Sequence, residues 1–133
     1  RAMLAGLAMM LVSACGGDAT GPDDSDVTGT YALHAVGGAT LPATVFEDAT
    51  ERIEFTRGSL TLRSDRRWTT EVTVRITRGS VVATEPGTGG GSWRRDGGAL
   101  VLTDGELGDD YRATVRDGTL TVEIDGTTLE YRR

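Results

Sequence analysis

The chain has few of the residues that form disulfides or bind metals in small proteins. Its 133 residues include one cysteine and one histidine, and all fourteen basic residues are arginine. A single cysteine excludes an intrachain disulfide. The formal net charge of −6 argues against nucleic acid as a partner, because phosphate contacts need clustered cations. The same acidity disfavours adsorption to anionic lipid headgroups.

Long apolar runs are also scarce. No such run follows position 15, so the sequence predicts no transmembrane helix there. The one apolar run, residues 2–10, is too short to span a bilayer, which takes about 20 residues. Its length is typical of the apolar part of a secretory signal peptide.

The apolar run is followed by Leu11-Val12-Ser13-Ala14-Cys15. This order of aliphatic, small, small and cysteine resembles the lipobox of bacterial lipoproteins. The resemblance implies that residues 1–14 are a removed signal peptide and that Cys15 carries a lipid anchor. It places the protein in the bacterial cell envelope. Gly16, where an inner-membrane retention signal would have Asp, predicts the outer membrane, facing either the periplasm or the surface.

Residues 16–26 are small, acidic and turn-forming. This composition is typical of a flexible, solvated linker, so we assign residues 15–26 to the lipidated cysteine and its tether. Asp23, Asp24 and Asp26 fit solvation of the tether better than a metal cluster, because metal sites need converging, held ligands.

From residue 27 onwards, apolar and polar residues alternate with a period of two, which predicts half-buried strands. Four Asp-Gly pairs fall between such runs and predict hairpin turns. The segment 44–52 is the one candidate for a helical turn, and a loop is the alternative. The glycine-rich segment 86–91 is predicted to be a hairpin loop.

The strand pattern predicts an all-β domain over residues 27–133, with about eight to ten strands. Short connections favour an antiparallel up-and-down meander. Such a meander hides its apolar face, and loses its edges, by closing into a small barrel; a β-sandwich is the alternative.

The start of the domain carries a second resemblance. Val27-Thr28-Gly29-Thr30-Tyr31 resembles the first strand of lipocalin-like proteins, where Gly-x-Trp opens the barrel and a late arginine packs across the Trp. Here Tyr31 stands in the Trp position, and Arg132 is the candidate for the packing arginine. The resemblance implies a small calycin-type barrel, as in small bacterial lipoproteins, that binds a small apolar ligand.

The residues predicted to face inward contain no charged group in the centre of any strand. They form either a packed core or the lining of a dry apolar pocket, and core is favoured for the two tryptophans. An interior without titratable groups predicts that the protein is not an enzyme. We also expect no cofactor and no metal. The inward set is Tyr31, Trp68, Val72, Val74, Ile76, Trp93, Leu100, Leu102, Leu120, Val122, Ile124 and Tyr131.

Three further features are weak candidates for chemistry. His34 is predicted to face outward without a partner for acid–base work. Residues 87–92 lack the Gly-Lys-Ser/Thr ending of a phosphate loop. The acidic segment 104–110 does not match the EF-hand spacing, which favours a plain turn over a weak calcium site.

Two functions therefore remain open from the sequence. The first is a membrane-anchored barrel that binds a small apolar ligand. The second is an interaction lipoprotein with a filled barrel and an unidentified envelope partner. A cavity of about 300 Å³ or more would favour the first.

Overall fold

The computed structural model describes residues 24–133 and contains ten β-strands in that range. This confirms the predicted all-β class. The predicted signal peptide, residues 1–14, and Cys15 lie outside the described residues. The strands are β1 (Gly29–Val36), β2 (Ala39–Thr40), β3 (Ala43–Glu47), β4 (Glu51–Leu62), β5 (Arg67–Arg78), β6 (Val81–Asp96), β7 (Ala99–Asp104), β8 (Asp110–Arg116), β9 (Thr119–Ile124) and β10 (Thr127–Arg132).

Eight of the strands close into a barrel. From β4 to β10, each strand pairs antiparallel with the next, and β1 closes the ring by pairing with both β10 and β4. The predicted meander and its closure are confirmed, and a single closed sheet replaces the alternative sandwich. The two remaining strands lie between β1 and β4 in sequence, with β2 against β1 and β3 against β4.

Two of the four Asp-Gly pairs form turns in which both residues have positive φ. Asp117 and Gly118 have φ of 53° and 78°, and Asp125 and Gly126 have 51° and 80°. These values suit the two-residue hairpins that match the twist of the flanking strands. Asp104 instead opens a longer turn, in which the backbone N–H of Gly108 bonds to the Asp104 carbonyl at 2.9 Å.

The barrel interior is packed with apolar side chains from all eight strands of the ring. Tyr31 and Leu120 are 0% exposed. Alternation along the strands places most of these side chains inside the ring and leaves the arginines and most acids outside. The exceptions are β7, which is buried on both faces, and the irregularities in β1 and β4. The buried cluster comprises Val27, Tyr31, Leu33, Val36, Ala43, Leu60, Leu62, Trp68, Trp93, Leu100, Leu102, Ala113, Leu120, Val122, Leu129 and Tyr131.

The glycine-rich segment 86–91 is not the hairpin loop that its composition predicted, because it lies inside β6. A Cβ added to Gly91 would overlap the carbonyl oxygen of Thr103 on β7. The glycine run is therefore a strand whose missing side chains let its backbone approach its neighbour closely.

The segment 44–52 is likewise not a helical turn. Most of it is β3 and the start of β4, which pair antiparallel with a bulge between Thr44 and Phe46. A turn joins them, and the Asp48 carboxylate accepts the backbone N–H groups of Thr50 and Glu51 at 2.8 Å each. These two bonds lower the pKa of Asp48. A carboxylate that accepts nearby N–H groups forms tight turns as readily as helix caps.

Beyond the closed ring, three of its strands extend and, together with β3, form a four-stranded sheet that we call the arm. It consists of β3 and residues 51–57, 72–78 and 81–88, and it exists because β6 pairs with β7 only from Gly91 onwards. Val72, Val74 and Ile76, predicted to face the interior, are half-buried there. Their face continues the inner wall of the barrel, but no opposite wall covers it.

Candidate functional site

The open end of the barrel, where the arm departs, contains a cavity of about 190 Å³ that we call the cup. It forms because the glycines of β6 leave space above the packed interior. Its lining residues come from seven of the eight barrel strands and are Leu60, Trp68, Thr70, Gly89, Leu102, Asp104, Tyr111, Val122, Ile124 and Tyr131.

Few polar groups reach the cup, and most of them already have partners. The Trp68 indole N–H donates to the carbonyl of Thr103 at 3.1 Å. The Thr70 hydroxyl donates to the carbonyl of Ser59 at 2.8 Å. Burial raises the pKa of Tyr131, and Thr70 partly offsets that shift. Burial also raises the pKa of Tyr111, and neighbouring carboxylates add to that shift. Both hydroxyls therefore stay protonated at neutral pH, so neither supplies an anionic nucleophile.

Asp104 is the one carboxylate in the lining of the cup. Its Oδ1 accepts the backbone N–H groups of Glu106 at 2.7 Å and Leu107 at 2.9 Å, and these bonds lower its pKa. The carboxylate is ionised and holds the turn after β7, so it is poorly suited to act as a general acid. Within residues 24–133, no three His, Cys, Asp or Glu side chains converge as metal ligands would.

The opposite end of the barrel is closed by the residues that precede β1. The Asp24 carboxylate contacts Arg66 at 2.9 Å and Arg95 at 3.0 Å, and Asp26 contacts Arg95 at 2.9 Å. The side chain of Asp24 is 14% exposed. Two of the three acids that the composition assigned to a solvated tether are thus ion-paired with the barrel.

An arginine does pack across Tyr31, but it is Arg133 and not the predicted Arg132. The Arg133 guanidinium lies 5.1 Å from the centre of the Tyr31 ring and donates to the carbonyls of Asp26 and Thr28. Alternation explains the difference, since Tyr131 faces inward and Arg132 therefore faces outward, where it contacts Glu130 at 3.5 Å.

Aromatic side chains also seal this closed end. The Tyr31 hydroxyl donates to the carbonyl of Val27 at 2.6 Å. The indole N–H of Trp93 donates to the carbonyl of Arg63 at 2.9 Å, while the Arg66 guanidinium stacks 4.5 Å from the ring centre. With both polar atoms bonded, these rings serve as core. They lie below the cup, and their register partners Leu60 and Leu102 belong to its lining.

The structure divides the predicted inward residues among three places. The cup contains Trp68, Leu102, Val122, Ile124 and Tyr131. The packed interior and closed end contain Tyr31, Trp93, Leu100 and Leu120, and the arm carries Val72, Val74 and Ile76.

Sequence reasoning missed Thr70 and Tyr111 as members of the cup. Thr70 shares the parity of Trp68, which was the available signal, but a threonine in an alternating run is usually assigned to the solvent face. His34 is half-exposed between the buried Leu33 and Ala35, at an irregularity in the pairing of β1 with β10.

No family model matches the chain, and no curated protein matches it. Among solved structures, the Cpx pathway activator NlpE from Escherichia coli is similar, with 23% sequence identity and a TM-score of 0.41. The similarity covers 62% of this chain and 40% of the NlpE chain, so it spans well under half of that protein. Within residues 24–133, no helix has the length and apolar character needed to cross a bilayer.

Proposed function

We propose that this protein is a non-enzymatic lipoprotein of the bacterial envelope, anchored through Cys15, whose barrel binds a small apolar group in the cup. The cup carries the proposal. It is an open, mostly apolar cavity at one end of a barrel whose other end is sealed by Tyr31 and Trp93.

The size of the cup restricts what it takes. Its 190 Å³ is below the roughly 300 Å³ of ordinary small-molecule pockets. The group bound is therefore small, such as one end of an apolar chain or a single apolar side chain. Its walls offer dispersion contacts and few free hydrogen-bonding groups, so we expect poor discrimination between apolar groups of similar size. One methylene changes the binding free energy by about 1–3 kcal/mol in such a site.

A catalytic role has no support from the cup's titratable groups. Tyr111 and Tyr131 have raised pKa values, and Asp104 is held by its own turn. No nucleophile among the described residues of the cup sits beside a base that would activate it. The cup therefore binds without reacting.

Binding is tested with an environment-sensitive apolar dye. Trp68 lines the cup, whereas Trp93 lies at the closed end, so the two tryptophans are matched reporters. We expect saturable one-to-one binding that changes the fluorescence of the Trp93→Phe variant, which keeps Trp68, and leaves that of Trp68→Phe nearly constant. Ile124→Trp, at the half-buried rim, should fill the cup and abolish the signal.

The anchor is tested by membrane fractionation. Cys15→Ser should release the protein from the membrane fraction, because bacterial lipoproteins carry more than one acyl chain and stable anchoring depends on them. Ser13→Ala keeps a small residue in the lipobox and should leave the protein in the membrane. Retention of Cys15→Ser at the parent's level would contradict the lipoprotein hypothesis.

A second candidate is an interaction lipoprotein with no ligand of its own. The small volume of the cup favours it, because the interior is otherwise filled by side chains. The absence of any saturable dye signal below the dye's aggregation limit would remove the ligand-binding function and leave this one.

A further inference from the structure

The arm exposes an apolar face, which we call its inner face because it continues the inner wall of the barrel. One row across the four strands joins Phe46, Ile53, Ile76 and Ala83. Phe46 is 46% exposed, and Val81, on the same face near the tip, is 65% exposed. The large apolar side chains of the inner face are Phe46, Ile53, Phe55, Val72, Val74, Ile76 and Val81.

The outer face of the arm differs, because ion pairs cover its centre. Glu54 is 7% exposed and lies 2.9 Å from Arg75 and 3.7 Å from Arg52. Paired charges therefore cover the centre of the outer face, which is suited to contact with water. A contiguous apolar patch beside such a surface is characteristic of an interaction site.

The edges of the arm are poorly suited to adding a further strand. The Gly90 carbonyl, just beyond the arm, accepts the N–H of Gly105 at 2.9 Å and so faces away from β5. Pro86 has the same parity, so the edge lacks a donor at its position. The other edge, β3, contains the bulge after Thr44. Both features block strand addition, so a partner must lie on the inner face.

The anchoring membrane is an unsuitable occupant. The chain is acidic, with a net charge of −6, and Glu85 lies on the inner face opposite Val74. Anionic lipid headgroups repel such a surface.

A second copy of the chain is also a poor occupant. Four strands about 4.8 Å apart and about seven residues long present roughly 400 Å². A specific interface of ordinary size buries about 800 Å² on each partner. Two acidic copies would also repel each other.

The charges around the inner face indicate a basic partner. Glu85 lies on this face opposite Val74. Across the cup, Asp104, Asp109 and Asp125 are close enough to Tyr111 to raise its pKa. Among the described residues, the arginine on the inner face is Arg78, and Glu51 neutralises it at 2.7 Å. An apolar strip bordered by unneutralised carboxylates complements an apolar segment with basic flanks.

We propose that the inner face of the arm docks a basic amphipathic helix of another envelope protein, with one apolar side chain of that helix inserted in the cup. A helix about 10–12 Å wide fits across the four strands and buries their apolar side chains. This inference rests on the proposed function, because it assumes the lipid anchor at Cys15. It adds that the apolar group bound in the cup is a side chain of a partner protein.

The test uses the processed protein from cells, held in phosphatidylcholine nanodiscs. The probe is a fluorescein-labelled helical peptide of about 18 residues with leucine on one face and lysine on the other. Its matched control has glutamate in place of each lysine. Fluorescence anisotropy measures the affinity of each peptide. We expect the lysine peptide to bind and the glutamate peptide to bind at least about tenfold more weakly.

Two neighbouring valines provide matched variants, since Val81 is on the inner face and Val82, 59% exposed, is on the outer face. Val81→Ser and Phe46→Ser should each lower the affinity for the lysine peptide by about tenfold, because less apolar surface is buried on binding. Val82→Ser should change its affinity by less than about twofold. All three positions are exposed, and circular dichroism verifies that the variants stay folded.

Three results would overturn the inference: equal binding of the two peptides, equal effects of Val81→Ser and Val82→Ser, or arm-dependent pairing of two copies in place of peptide binding. Failure of the proposed function is measured separately, by dye binding and membrane fractionation. If Ile124→Trp abolishes dye binding but Cys15→Ser leaves the protein in the membrane, the anchor is wrong while peptide docking is judged on its own data.

Discussion

The closed end of the barrel and the arm consist of the same kind of alternating strands, but their apolar sides have different surroundings. At the closed end, Tyr31 and Trp93 are buried, and arginines stack over both rings. On the arm, Val74 and Ile76 occupy the equivalent inward parity and remain half-buried. Alternation therefore specifies which face a residue takes, and closure of the ring specifies whether that face is covered.

The two regions should also differ in stability. A strand inside the ring has two paired neighbours and a core on its inner side, whereas the arm has two free edges and one open face. Regions with few buried apolar contacts open locally at lower free energy than the core. We therefore expect the arm to be the part of the chain that adapts to a partner, with the barrel as its rigid support.

The largest difference is expected for an introduced charge. Leu120→Asp places an unpaired carboxylate in the filled interior, where Leu120 is 0% exposed, and should remove most of the stability, about 5 kcal/mol or more. Val74→Asp, opposite Glu85 on the arm, should cost about 1–2 kcal/mol. Urea unfolding measures both changes, and equal losses would show that the arm is as closed as the barrel.

The next largest loss of stability is expected from a substitution at the close approach of β6 to β7, where the arm leaves the ring. Gly91→Ala forces the strands apart, because its Cβ would overlap the Thr103 carbonyl. We expect a loss of about 3 kcal/mol. Gly98→Ala meets no atom within 4 Å and is the control, with an expected change below about 1 kcal/mol. A stable Gly91→Ala protein in thermal melts would contradict this description of the junction.

A smaller effect concerns the ion pairs that hold the segment before β1. Asp24→Asn weakens contacts to both Arg66 and Arg95 and should cost about 1–2 kcal/mol. Asp96→Asn removes an exposed contact to Arg112 at 3.5 Å and should change stability by less than about 0.5 kcal/mol. Denaturant melts at low and high salt separate the two, since the exposed pair is the more strongly screened.

The smallest effect is expected in alkali. Burial raises the pKa of Tyr131 above its ordinary value of 10.0. The fold therefore favours the protonated hydroxyl, and its contribution is complete below pH 10 and is lost as the pH rises through the folded-state pKa. Thermal melts should show less alkaline destabilisation in Tyr131→Phe than in the parent. Identical pH profiles would mean that Tyr131 is accessible to solvent.

Local pattern sufficed for most strands of the ring and for their order. Alternation placed Trp68, Leu102 and Val122 on inward faces, and Asp-Gly pairs located the turns at Asp117 and Asp125, because both signals depend on neighbours within a few residues. The barrel could be predicted because short antiparallel connections leave few ways to hide one apolar face.

The candidate site was less accessible to the same reasoning. The cup needs Thr70 and Tyr111, two polar residues on different strands whose meeting depends on register across the ring. The packing arginine was misplaced by one position, although alternation from the inward Tyr131 assigns the inner side to Arg133. Glycines 89–91 were assigned to a loop because composition cannot distinguish a flexible segment from a strand pressed against its neighbour.

The amino-acid sequence by itself determined the strand class, the turns, the acidic surface and the lipobox-like run, since each follows from the residue types of a short stretch. The tertiary structure alone decided that β1 pairs with β4 to close the ring, that the ends of β4, β5 and β6 remain outside it, and that Asp24 pairs with Arg66 and Arg95. These outcomes join residues far apart in the chain, and their energies depend on register and twist summed around eight strands, which no local pattern contains.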